Sequence, residues 1–257
     1  MKNQTIIVTG GSNGMGKAMA ARFASLGANV VITGRDQERL ETAKSEVAQD
    51  SGRVLTVQMD VRNPDDVERM VKDTLSEFGA IDGLVNNAAG NFLCAAEDLS
   101  LNGWKSVIDI VLNGTWHCTQ AVGKEWIKDG RKGHILNMVA TYAWTAGAGV
   151  VHSASAKAGV LAMTRTLAVE WGTKYGIRLN AIAPGPIEGT GGAEKLILNE
   201  TFQKAVLQTV PLKRFGTLEE IAGLATYLFS EEATYMNGEC ISLDGGQWLR
   251  GTLFPFS

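Results

Sequence analysis

Seven short runs rich in β-branched residues punctuate the chain: TIIVT (5–9), NVVIT (29–33), VLTVQM (54–59), IDGLV (81–85), HILNMV (134–139), IRLNAIA (177–183) and ECISL (239–243). Between most of them lie a dozen or more residues with a 3.6-residue apolar period, as in GMGKAMAARFASLG and QERLETAKSEVAQD. Runs of that length read as strands, and a parallel pair of strands needs a crossover of about a dozen residues or more. The alternation therefore predicts an α/β chain: one doubly wound parallel sheet of about seven strands with helices on both faces. No linker, low-complexity tract or internal repeat divides residues 1–257, so a single domain is expected. The rhythm fails only around 184–216, where PGPIEGTGGAEK reads either as a substrate flap over about 186–212 or as a surface loop.

With 45% hydrophobic and 20% charged residues the chain can bury a substantial core. A formal net charge of −3 and the lack of any basic run argue against nucleic-acid or membrane-surface partners. MKNQTIIVTGG enters the first strand directly, without a signal-like segment, and Cys94, Cys118 and Cys240 show no CxxC spacing. Both features lead us to expect a reduced, cytoplasmic setting. His117, His134 and His152 do not cluster with cysteines or carboxylates, so no metal site is expected.

TGGSNGMG (9–16) follows the first strand and opens a helix. Gly10, Gly14 and Gly16 permit a tight turn and a close backbone approach, which suits a pyrophosphate seated at a helix N-terminus. A carboxylate at the end of the second strand would hold a free ribose 2′-hydroxyl. Here Thr33, Gly34 and Arg35 stand at that place, and Arg35 suits a 2′-phosphate, hence NADP(H). Asp36 reads instead as the cap of a helix beginning at Gln37. Asp60-Val61 and NNAAG (86–90) end the third and fourth strands, at the sheet edge where open α/β folds bind ligands.

TGGSNGMG, Asp60, NNAAG, Lys157 opening a helix after the fifth strand, and PGPI (184–187) together resemble the short-chain dehydrogenase/reductase family, in order and over nearly the whole chain. The resemblance implies a Rossmann-type fold and a homotetramer. It also implies a dinucleotide held by Gly10, Ser12, Asn13, Gly14, Met15, Gly16, Arg35, Asp60, Val61, Asn87, Ala88, Ala89, Pro184, Gly185 and Ile187, with Lys157 on the nicotinamide ribose.

Most of this family places a Tyr four residues before that Lys and a Ser thirteen residues before the Tyr. This chain has Ser153 and Ala140 there. A serine hydroxyl is far too weak an acid to replace a phenol of pKa about 10, so ordinary ketone reduction loses its proton donor. Three readings stay open: a non-catalytic dinucleotide binder, an enzyme with a relocated acid (His152 or Tyr142), or a reductase whose substrate needs no strong acid. The retained Lys157 and Asn113 speak against decay. The third reading has a match, because SASAKAGV preceded by Tyr142, NNAAGNF (86–92) and PGPI are similar to 2,4-dienoyl-CoA reductases. That resemblance implies an acyl-CoA thioester substrate whose oxygen is held by Tyr142 and Asn91, with Ser153 against the nicotinamide. A plain enoyl reductase of the family would carry a Tyr seven residues before the Lys, where this chain has Val150. The thioester's nucleotide tail has no visible motif, although Lys195, Lys213, Arg214 and Arg250 are basic residues that could meet it.

Overall fold

The computed structural model describes residues 1–48, 53–190 and 200–249. Seven strands form one parallel sheet in the order β3-β2-β1-β4-β5-β6-β7: β1 Thr5–Thr9, β2 Asn29–Gly34, β3 Val54–Gln58, β4 Gly83–Asn86, β5 His134–Met138, β6 Arg178–Pro184 and β7 Cys240–Leu243. The helices are α1 Gly14–Ser25, α2 Gln37–Val47, α3 Pro64–Phe78, α4 Leu101–Ile108, α5 Gly114–Lys128, α6 Val151–Tyr175, α7 Glu200–Thr209 and α8 Leu218–Leu228. No helix among the described residues is long and apolar enough to cross a membrane.

Strand residues alternate between two cores, as the period of two demands. Ile6, Val8, Val30, Ile32 and Leu136 pack against α1, α2 and α8 through Phe23, Leu40 and Ile221. Ile7, Val31, Leu84, Ile135 and Leu179 pack on the opposite face against α3, α5 and α6 through Met70, Trp126 and Trp171. Burial on both faces explains why β1 and β5 are fully buried and read as unbroken apolar runs.

The fourth strand begins two residues later than IDGLV suggests. Ile81 and Asp82 serve as anchors instead: the Ile81 carbonyl accepts the Trp126 indole N–H at 2.7 Å, and the Asp82 carboxylate accepts the Thr5 amide at 2.8 Å. His134 and His117 have structural roles. His134 is buried beside Asn180 (3.1 Å) and the Phe229 ring, and burial drives its pKa well below the ordinary imidazole value. The ring of His117 bonds the Val61 carbonyl at 3.0 Å. Of the segment 186–212, the first residues and α7 are described, and the middle of that predicted flap lies outside the described residues.

Candidate active site

The carboxyl ends of β1, β4 and β5 are stitched together by side chains. Thr9 Oγ1 accepts the Asn87 and Ala88 amides, each at 3.0 Å, and the Asn87 amide group donates to the Thr9 and Gly10 carbonyls. Deeper in, Asn86 donates to Thr119 and Asn137, and Asn137 donates to Thr164. This fixes the NNAAG segment against the glycine turn. Gly10 takes φ +63°, which favours glycine, and a Cβ at Gly16 would come within 2.4 Å of the Gly10 carbonyl oxygen.

The end of α1 at this turn suits an anion. Asn13 precedes α1 without making a side-chain cap, and the first turn holds no acidic residue. Asp36 caps α2, Asn63 caps α3, Ser100 caps α4 and Thr217 caps α8 with their side chains, whereas α5 and α6, like α1, have no such cap. The α1 N–H groups and dipole are therefore left for a ligand, which fits a dinucleotide pyrophosphate at Ser12, Asn13, Gly14 and Met15. Gly185 lies so close to Asp244 that a Cβ there would approach its Cα to 2.7 Å, which packs PGPI against the segment after β7. Ile187 bridges to Gly216.

Arg35 is exposed at the end of β2, its carbonyl accepting from Gln58 at 3.0 Å. Asp36 caps the helix at Gln37 as the sequence predicts, accepting the Arg39 amide at 3.1 Å. Beside Ser12 a depression of about 260 Å³ is lined by Lys17 and Arg39 and equally by Glu38 and Glu46, with Lys17 paired to Glu46 and Arg39 to Asp36. The Asp60 carboxylate is engaged by Arg62, which holds it below its usual pKa, so any adenine contact there shares the group with a guanidinium.

The reacting end is assembled by β5, a short 3₁₀ turn at Thr141–Ala143 and the first turns of α6. The hydroxyls of Tyr142 and Ser153 share a hydrogen bond of 3.0 Å. Burial raises the Tyr142 pKa above its ordinary value, with the Ser153 bond pulling the other way, so the phenol stays neutral and protonated. One turn on from Ser153, Lys157 is buried and donates to the Met138 carbonyl at 2.5 Å. Burial pushes its pKa down to about 8.

Asn113 closes a π-helical segment, Asp109–Asn113, and its amide donates to Asp109 at 2.8 Å. Periodicity had hidden this widened turn, a form often found at functional sites. The Asn91 amide oxygen is buried without a partner among the described residues. His152 is 0% exposed, its ring tilted against Phe92 at 4.4 Å with neither ring nitrogen hydrogen-bonded among the described residues. Burial also lowers its pKa, opposed by the backbone of Phe92.

Of the basic residues considered for a nucleotide tail, Arg214 is committed to Glu220 by two bonds of 2.9 and 2.6 Å. Lys213 donates to the Gln208 carbonyl at 3.1 Å, and Lys195 and Arg250 lie outside the described residues.

Fold and site together define an oxidoreductase built for a nicotinamide dinucleotide. A family model described as enoyl-(acyl carrier protein) reductase matches residues 10–247. The chain belongs to the short-chain dehydrogenase/reductase family. It is 59% identical, over the full length of both chains, to a Bacillus subtilis protein described as a probable 2,4-dienoyl-CoA reductase, (2E)-enoyl-CoA-producing. It is 39% identical to a peroxisomal 2,4-dienoyl-CoA reductase of Danio rerio, (3E)-enoyl-CoA-producing, over 97% of this chain and 83% of that one. A crystal structure of a short chain dehydrogenase from Bacillus anthracis superposes with a TM-score of 0.90 at 62% identity, covering 98% of this chain and 99% of that one.

Proposed function

We propose that the chain reduces 2,4-dienoyl-CoA thioesters with NADPH, forming a 3-enoyl-CoA in the oxidation of unsaturated fatty acids. The 3.0 Å contact between Tyr142 and Ser153 carries this reading. Ser153 stands where the family usually has its acid, yet a phenol is still presented at the site, from a different element.

A bound reduced nicotinamide supplies a hydride. Reduction at the far carbon of a conjugated dienoyl thioester moves negative charge onto the thioester oxygen, as a dienolate. The neutral Tyr142 phenol and the Asn91 amide would donate to that oxygen, as oxyanion-hole donors do. Ser153 orients the phenol through their shared hydrogen bond and would lie against a bound nicotinamide. The Lys157 ammonium, pinned by the Met138 carbonyl, holds the ribose side of the cofactor. Protonation falls on carbon, so no strong acid beside Lys157 is required. Water at the α-carbon gives the 3-enoyl product, and a donor above the γ-carbon would give the 2-enoyl product described for the Bacillus subtilis relative.

Incubation with NADPH and 2,4-hexadienoyl-CoA should consume both, and NMR of the product locates the remaining double bond. Turnover of a simple ketone with none of the dienoyl thioester would overturn the reading. Val150, at the place of a plain enoyl reductase's tyrosine, is buried and precedes α6, so it offers no donor.

The cofactor is proposed to be NADP(H), held at its 2′-phosphate by Arg35, exposed at the end of β2. Arg35→Ala should weaken NADPH binding about ten- to a hundredfold, the worth of a charge-assisted hydrogen bond. NADH binding should stay nearly constant, and an equal loss for both would remove the phosphate role. A homotetramer in a reduced, cytoplasmic setting completes the proposal. Leu101, Trp104 and Trp116 on α4 and α5, and Val169 on α6, are exposed apolar side chains that an assembly would cover, and Cys94, Cys118 and Cys240 are free thiols.

A further inference from the structure

Two tryptophans meet at the rim of this site. Trp144 directly follows the 3₁₀ turn that carries Tyr142, and its indole stands edge-to-face with that of Trp248, centroids 5.8 Å apart at 84°. Neither is buried: Trp144 is 36% exposed and Trp248 42%. The contact spans more than a hundred residues of sequence and is built on purpose-shaped backbone. Asp244, buried after β7, accepts the Gly246 amide at 2.9 Å and the Trp248 amide at 2.7 Å, and Gly245 and Gly246 take φ of +62° and +84°. That turn lies on PGPI and throws Trp248 across to Trp144.

The surrounding rim is apolar too. Leu212, 63% exposed, packs beside Gly245, and its amide donates to the Gly245 carbonyl at 3.3 Å. Exposed Phe92 and Leu93 follow Asn91, and this segment is tied to the residues before α6 by the Cys94 amide on the Gly149 carbonyl at 2.9 Å. Beyond each other, the two exposed indoles have no ring contact among the described residues, and Trp144 stands two residues from the donor proposed for a thioester oxygen.

The geometry points to a binding subsite for the apolar acyl tail of the thioester, walled by Trp144 and Trp248 and continued by Leu212. This rests on the thioester reading above. An acyl chain fits better than the nucleotide end of the carrier, because the wall is apolar and the nearby Arg214 is already paired with Glu220. Each methylene fully buried strengthens binding about fourfold (about 0.8 kcal/mol). The pair therefore sets the acyl-length preference.

Calorimetric titration of hexanoyl-CoA and decanoyl-CoA into the NADP-loaded protein tests this without turnover. Wild type should bind the longer chain at least about tenfold more tightly, with part of the four added methylenes buried. Trp144→Ala and Trp248→Ala should reduce that gain to about two- or threefold, and Trp144→Phe should keep most of it. Equal affinity of wild type for both chains would overturn the subsite, whatever the variants do. So would a gain that survives both alanine variants, or a loss in Trp144→Ala as large for acetyl-CoA as for decanoyl-CoA, which would assign the pair to the nucleotide. A Trp248→Ala variant that changes only the oligomeric mass would give the face to a second copy and likewise end the proposal. If the length-dependent gain appears and falls in the variants while no dienoyl thioester is reduced, the subsite stands and the reaction assignment fails.

Discussion

Tyr142→Phe is expected to lower kcat for 2,4-hexadienoyl-CoA about a hundred- to a thousandfold, the usual cost of one oxyanion donor, while leaving NADPH affinity nearly unchanged. The structure makes the variant a clean probe. The phenol's hydrogen-bond partner is Ser153 Oγ at 3.0 Å, so removing the oxygen deletes one hydroxyl and little packing. Because burial raises the phenol's pKa, it is a neutral donor throughout the working range and should add no alkaline limb to the pH profile. Loss of an interaction made mainly with the charged oxygen lowers kcat and kcat/KM together. A variant with unchanged kcat and a raised KM would show that Tyr142 only binds substrate. Ser153→Ala should fall between wild type and Tyr142→Phe, since it frees the phenol from its support without removing the donor.

Much of the scaffold was legible because parallel strands buried on both faces must be written as short apolar runs, and their crossovers as amphipathic helices. Asp36 before Gln37 is a case where one residue's chemistry fixed a helix start, and the observed cap bond bears it out. IDGLV misled by two residues because Ile81 and Asp82 are spent on Trp126 and Thr5, contacts across 45 and 77 residues that no local pattern encodes. The site was legible in a different way. Ser153 and Lys157 share a helix face by spacing alone, whereas the role of Tyr142 on the thioester oxygen came from family resemblance, and its bond to Ser153 emerges only in the structure. Nothing in TYAWT announces the 3₁₀ turn that lifts the phenol toward α6. The Trp144–Trp248 wall and the π-helical turn at Asp109–Asn113 both depend on tertiary placement, and each looked like ordinary core or surface.

Lys157 gives the second large effect, and it comes with a sign. Its ammonium is buried and its pKa is pushed down to about 8, so the cation dominates below that pH and is lost above it. The charged form is the one that donates strongly to the Met138 carbonyl and would donate to a ribose hydroxyl. Hence kcat/KM for NADPH should be level from about pH 6 to 7.5 and then fall tenfold per pH unit above about 8, as expected when one protonated group on the free enzyme is required. Lys157→Met keeps most of the volume, removes the charge, and should lower kcat/KM for NADPH about ten- to a hundredfold at pH 7. It should also abolish the alkaline limb. The two observations separate the cation from the packing: a weak variant that keeps the limb would assign the ionisation elsewhere, and a level wild-type profile through pH 9 would mean the charge is not used. The buried Cys118 thiol, pushed up to about 12, cannot produce a limb near pH 8. Nor can Tyr142, raised above its ordinary value, so among these groups a limb at that pH belongs to Lys157.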